Sequence, residues 1–223
     1  MLVKHRMTPN PIVIAPEASH SEAFRILHEH NFRYLPVVNR KGRLVGMLTE
    51  SDLTNAKPSA ATSLSIYELN YLLAHLKVQD IMSTPPITVS EDTPLEEAAR
   101  VMIEHRIGCL PVLRGDELVG VITETDIFKT FMEVLGGGQA VLRVTVRVPD
   151  VPGELARMTS VIAGLGGNLH AVAAFRGEAP GHVYIVFRLD GVDENVLLPA
   201  LKRMGEEVVH VCRVENHLHT EGV

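Results

Sequence analysis

The chain contains a copy of itself. Residues 3–38 align with residues 78–113 at a constant offset of 75, and residues 42–53 align with 116–127 at an offset of 74. Identical residues occupy 12 of 36 positions in the first block and 6 of 12 in the second. The best-preserved pieces are Leu35-Pro36-Val37 with Leu110-Pro111-Val112, and Leu44-Val45-Gly46 through Thr49-Glu50-x-Asp52 with Leu118-Val119-Gly120 through Thr123-Glu124-x-Asp126. The change of offset falls between the two blocks, where a turn absorbs one residue at little cost. A unit of about 50 residues buries too little surface to stand alone, so two copies must pack together and share a core.

Both copies share one local grammar. A short apolar run follows Met-Thr or Met-Ser, over residues 12–14 and 87–89, and reads as a strand. A helix follows a capping pattern, Ser19-x-x-Glu22 in the first copy and Thr93-Pro94-x-Glu96 in the second. Two β-rich runs come next, residues 34–38 with 44–49 and 109–113 with 118–123, joined by turns containing Gly42 or Gly115. A second helix starts at Thr49 or Thr123. The result is two βαββα units, residues 1–60 and 78–135, in a mixed α/β arrangement. Between them lies the polar stretch NAKPSAAT and then a connecting helix over 61–77, with Ile66, Leu69, Leu72, Leu73 and Leu76 at helical spacing.

Gly136-Gly137-Gly138 marks a flexible joint over 136–139. Residues 140–215 then read as strand, helix, strand, strand, helix, strand, the split βαβ order of a ferredoxin-like fold, and 216–223 form a tail. Leu142, Val144, Val146 and Val148 alternate with Arg143, Thr145 and Arg147, as in a sheet covered by helices on one face.

A formal charge of −6 argues against nucleic acid or an anionic membrane as the main partner. Cys109 and Cys212 form no CxxC pair, the N-terminus MLVKHRMTPNP lacks a signal-peptide core, and no apolar run reaches the roughly 18–20 residues of a membrane span. A cytoplasmic protein with reduced thiols is the expectation. His28-x-His30, His105 and His217-x-His219 lack the spacing of a zinc site, so no metal is expected. GxSxG, P-loop and GxGxxG motifs are absent, and Cys109 has no basic neighbour in sequence to activate it. The chain reads as non-enzymatic, with no catalytic cofactor.

Gly46-x-x-Thr49-x-x-Asp52 and Gly120-x-x-Thr123-x-x-Asp126 are the tightest repeated pattern. Thr with Asp three residues on is the signature of an N-cap, which stabilises a helix start by about 0.5–2 kcal/mol. The same pair at a helix start can also hold a nucleotide, the carboxylate taking ribose hydroxyls and the threonine a phosphate. Recurrence establishes duplication and leaves both readings open.

The whole repeat resembles the cystathionine-β-synthase (CBS) domain family. The likeness rests on Met7-Thr8-Pro9 and Met82-Ser83-Thr84, Arg33-Tyr34-Leu35-Pro36-Val37-Val38 and Gly108-Cys109-Leu110-Pro111-Val112-Leu113, and the two Gly-x-x-Thr-x-x-Asp segments. It implies a Bateman module, a pseudo-symmetric pair that commonly binds adenine nucleotide, AMP, ADP or ATP, in two clefts between the copies. By this resemblance Thr49, Asp52, Thr123 and Asp126 hold ribose and phosphate. Ile12, Val13, Arg33, Tyr34 and Pro36 wrap the base in one cleft, and Ile87, Thr88, Gly108, Cys109 and Pro111 in the other. Arg33 stands where the second copy has Gly108, which gives its cleft the better candidate phosphate cation.

At the C-terminal unit, Asp150-x-Pro152-Gly153-x-Leu155 and Asn168 resemble the ACT domain, a regulatory module that often binds amino acids at a dimer interface. The resemblance implies amino-acid binding at Asp150, Gly153, Leu155 and Asn168, and a homodimer. The order of modules, with the inserted SLSIYELNYLLAHLKVQDIM stretch, is similar to the acetoin-utilisation regulatory protein group. The reading is a nucleotide sensor. The alternative is a structural adaptor that works by protein–protein contact without a small-molecule ligand.

Overall fold

The computed structural model describes residues 1–56, 75–137, 140–177 and 179–213. Most of the expected connecting helix, Gly138 of the glycine run and the 216–223 tail lie outside the described residues. The chain divides into two compact units, Met1–Phe128 and Lys129–Val223.

In the first unit, Ser19 caps α1 (His20–His30) by accepting from the Glu22 N–H at 3.2 Å. The chain leaves α1 through Asn31 in the left-handed region, φ 52°. A hairpin follows, β2 (Tyr34–Val38) with β3 (Leu44–Thr49), and then the short α2 (Glu50–Asn55). Beyond α3 (Val78–Ile81), the second copy repeats the plan. It consists of β4 (Val89–Ser90), α4 (Leu95–His105), the hairpin β5 (Cys109–Arg114) with β6 (Glu117–Thr123), and α5 (Glu124–Val134). The hairpins have equivalent registers, Tyr34 opposite Thr49 and Cys109 opposite Thr123, each with an irregularity at the same place. Gly42 and Gly115 take φ of 75° and 60° in the turns, where a side chain would be strained.

Three expectations are corrected. The strands expected at 12–14 and 87–89 shrink to a single bridge, Ile14 with Val37, and to β4. Prolines at 11, 16, 85 and 86 flank or interrupt these runs and remove the donors a longer ladder needs. The N-cap of α4 is Pro94 with no side-chain bond, one residue past the expected Thr93. The connecting helix does not reach residue 77, because Lys77 instead forms a bridge with Ser19.

The sharing of the core takes the form of an exchange. The N-terminal strand β1 (Thr8–Pro9) pairs with β6 of the second copy, Thr8 opposite Val121. Ser83, its repeat equivalent, pairs with Met47 of the first copy. Val3 is fully buried among Leu95, Ala98, Leu110, Val112 and Ile122, and Val78 among Ile14, Leu27, Leu35, Val37 and Leu48. Each copy therefore completes the other. The repeated glycines follow from this: a Cβ on Gly46 would stand 2.6 Å from Met82 Sδ, and one on Gly120 would stand 2.6 Å from Met7 Sδ.

The second unit is a four-stranded antiparallel sheet in the order β10-β7-β9-β8, with β7 (Leu142–Pro149), β8 (Asn168–Arg176), β9 (His182–Asp190) and β10 (Glu207–Arg213). Helices α6 (Glu154–Gly164) and α7 (Glu194–Arg203) supply Met158, Ile162, Leu197 and Leu201 to its core. This is the expected ferredoxin-like arrangement. Leu142, Val144, Val146 and Val148 are buried as the alternation required. Among the described residues no helix is long and apolar enough to cross a membrane.

Candidate functional site

Both Thr/Asp pairs are complete capping boxes. Asp52 Oδ2 accepts from the Thr49 N–H at 2.8 Å and from Thr49 Oγ1 at 2.7 Å, and the Thr49 hydroxyl accepts from the Asp52 N–H at 3.1 Å. In the second copy the matching distances are 2.9, 2.7 and 3.3 Å for Thr123 and Asp126. The cap bonds use Oδ2 of each aspartate and leave Oδ1 outside the cap.

The sequence of one copy folds so that Thr49 ends β3 directly across from Tyr34. A cavity of about 320 Å³ opens beside this pair. From the first copy it takes Tyr34, Met47, Thr49 and Ser51, and from the second copy and its lead-in it takes Pro86, Ile87, Arg106, Gly108 and Cys109. Of the residues expected from sequence, Tyr34, Thr49, Ile87, Gly108 and Cys109 meet here. Tyr34 thus joins the residues expected in the other cleft, a departure from the expected grouping. A Cβ on Gly108 would run into the Tyr34 hydroxyl, so the glycine makes room for the ring. Ile12, Val13, Pro36, Asp52, Thr88, Pro111, Thr123 and Asp126 do not line this cavity. Pro36 and Pro111 sit within β2 and β5, and Ile12 and Val13 are exposed.

Arg106 is the residue that sequence reasoning missed. It lies in the left-handed region at the C-cap of α4, φ 55°, the place that Asn31 holds in the first copy. An arginine where the repeat has a conformationally suited asparagine was the available clue. Among the described residues Arg106 makes no ion pair. Arg33, by contrast, lies over the Tyr34 ring at 5.7 Å and 4.0 Å from Glu124 Oε1, with both charged side chains about half exposed. The expected phosphate cation of the other cleft therefore already faces a carboxylate. Burial, and secondarily Asp126, push the Cys109 thiol up to about 12, so it remains protonated and unreactive at neutral pH. Burial also raises the Tyr34 phenol, partly offset by Arg33.

In the second unit Asp150 opens the strand–helix connection and lies 3.4 Å from Arg176 Nη2. Gly153, φ 95°, is the N-cap of α6, while Leu155 and Asn168 are exposed. Next to this loop, Arg157 bridges two buried carboxylates, with Nη1 3.1 Å from Glu154 Oε1 and Nη2 3.1 Å from Glu206 Oε1. Glu154 Oε2 is buried and has no hydrogen-bond partner among the described residues. Burial and then the Glu154 charge raise the Glu206 carboxyl, with Arg157 opposing. A carboxyl raised on folding stabilises the folded state below its ordinary range, and that contribution is lost as pH rises through the raised value. Glu206→Gln is therefore expected to be more stabilising at about pH 8 than at about pH 5. Urea unfolding at both values checks this; an equal loss at both would show that the Arg157 contact dominates. Among the described residues no three His, Cys, Asp or Glu side chains are placed to hold a metal.

The CBS domain model matches residues 3–59 and 78–133, and the TTHA0829-like ACT domain model matches residues 137–212. A CBS domain-containing protein of Dictyostelium discoideum is 31% identical over 136 residues, 60% of this chain and 94% of that protein. The L-aspartate semialdehyde sulfurtransferase of Methanocaldococcus jannaschii is 32% identical over 133 residues, 58% of this chain but only 23% of that enzyme. Among solved structures, a Vibrio cholerae protein described as an acetoin utilization protein (AcuB) is 27% identical with a TM-score of 0.51, covering 61% of this chain and 93% of that one.

Proposed function

Because the chain belongs to the CBS domain family and carries an ACT domain after its CBS pair, we propose that it is a non-enzymatic sensor of adenine nucleotide. The observation that carries this reading is the cavity in which Thr49 and Ser51 of one copy face Ile87, Arg106 and Gly108 of the other. Its about 320 Å³ falls within the usual range of small-molecule sites. Hydroxyls at the start of α2 and the Arg106 guanidinium suit phosphate, and Ile87 with Tyr34 suits a base. A ligand touching both copies has different contacts when the copies shift, which is the differential affinity a population shift needs. Asp52, whose carboxylate caps Thr49 at the cavity wall, holds the Thr49 hydroxyl in place for the ligand, and Asp126 with Thr123 and Arg33 serves the second cleft.

Calorimetry with AMP, ADP, ATP and S-adenosylmethionine tests the proposal. At least one should bind, and Asp52→Ala and Arg106→Gln should each weaken it about 10-fold or more. Asp126→Ala reports on the second cleft. Loss of the cap lowers helix stability by about 1 kcal/mol, too little to unfold the unit. If no nucleotide binds, or if all three variants bind like wild type, the structural-adaptor reading takes over. The completeness of both capping boxes already favours that reading over any third.

The C-terminal unit is read as a pairing module that takes an amino acid at Asp150, Gly153, Leu155 and Asn168. Exposed Val172 and Phe175 on the edge strand β8 support pairing with a second copy. Similarity to the Vibrio cholerae protein supports placing this chain in the acetoin-utilisation group.

A further inference from the structure

The sheet of the second unit has a face that α6 and α7 do not cover, and its register puts two positive charges side by side. Arg143 of β7 is the direct cross-strand partner of Arg188 of β9. Like charges opposite one another destabilise a sheet, so the pair needs a reason. Neither guanidinium has a carboxylate among the described residues: Arg143 Nη1 donates to Thr145 Oγ1 at 3.1 Å and Arg188 Nη1 to the Gly136 carbonyl at 2.9 Å. Both are held in place by neutral acceptors that do nothing to cancel their charge.

Beside them lies a cavity of about 230 Å³ with an apolar floor. Ala171 pairs with Arg188 and Ala173 with Val186, and Val186 is 9% exposed. The two small alanines leave the hollow, and Leu135 walls it. Gly136 closes over the same end, where an added Cβ would meet Arg188 Cδ at 3.0 Å and Ala171 Cβ at 3.3 Å.

We infer that this face binds a small carboxylic acid with an apolar body, its carboxylate between Arg143 and Arg188 and its carbon chain on Ala171, Ala173 and Val186. Guanidinium pairs take a carboxylate in a forked, charge-assisted geometry, and an anion there removes the repulsion between them. At roughly 30 Å³ per heavy atom, the share of a water in the liquid, the cavity suits about eight heavy atoms. The floor has no place for a second charge, which separates this site from the nucleotide cleft and from the Asp150 loop.

The test is a titration of the full chain with hexanoate, followed by the amide resonances of Ala171, Ala173 and Val186. Saturable shifts at these three amides are expected. Hexanamide, of the same shape without the charge, should bind about 10-fold more weakly or worse, as should inorganic phosphate, which lacks the chain. Arg143→Gln should lose about 10-fold or more. Ala173→Leu keeps both guanidiniums, fills the hollow and should abolish the shifts while the rest of the spectrum is unchanged. Absence of shifts in wild type, equal binding of hexanamide or phosphate, or unaltered binding in either variant overturns the site.

Discussion

Removing residues 1–9 is expected to open the second CBS copy and leave the first closed. Val3 is fully buried in the second copy's core, its N–H donates to the Thr93 carbonyl at 2.9 Å, and Lys4 N–H donates to Glu91 at 2.9 Å. Met7 covers Gly120 and β1 pairs with β6. Burying a valine is worth about 1.5–3 kcal/mol and each backbone bond about 1 kcal/mol, so the truncated chain should lose about 3–5 kcal/mol in this copy. Hydrogen exchange reads the outcome: the β5 and β6 amides should lose protection, while those of β2 and β3, sealed by Val78 and Ser83, should keep theirs. Earlier loss in β2 and β3 would refute the exchange.

A loss of similar size is expected from Phe187→Ala in the second unit. Phe187 is fully buried in β9, between β7 and β8, and belongs to the cluster containing Met158, Ile162, Leu197 and Leu201. Truncating such a side chain removes its transfer energy and leaves a cavity, about 3–5 kcal/mol in total. Denaturant unfolding followed at the β7 and β9 amides gives the value. A loss under about 1 kcal/mol would mean that α6 and α7 collapse into the space.

Much of this was legible in the sequence, for identifiable reasons. The two hairpins were readable because period-two apolar runs met glycine turns, and the βαββαβ order because its strands and helices alternate cleanly. The Thr49/Asp52 and Thr123/Asp126 caps were readable because the bonds are local. Partner choice was not. The alignment matches Val3 with Val78 but does not say which copy's core each enters, and both copies offer an equivalent core, so the exchange needs the third dimension. Met7 and Met82 appeared twice in the alignment without a role, since the glycines they cover belong to the other copy. Tyr34 joined Ile87 and Gly108 for the same reason, and the opposition of Arg143 and Arg188 depends on pairing strands that are not neighbours in the chain.

The exchange also bears on biosynthesis. Val3 leaves the ribosome more than a hundred residues before Ile122 and Ile127, the last-made residues of the core it joins. At about 5–20 residues per second the N-terminal segment waits for roughly 6–24 s with no place to dock. The first copy waits far less, because Val78 emerges soon after the hairpin it seals. The segment around Val3 is made before the second copy and settles late, so its apolar Leu2 and Val3 stand open to chaperones and proteases until that copy is complete.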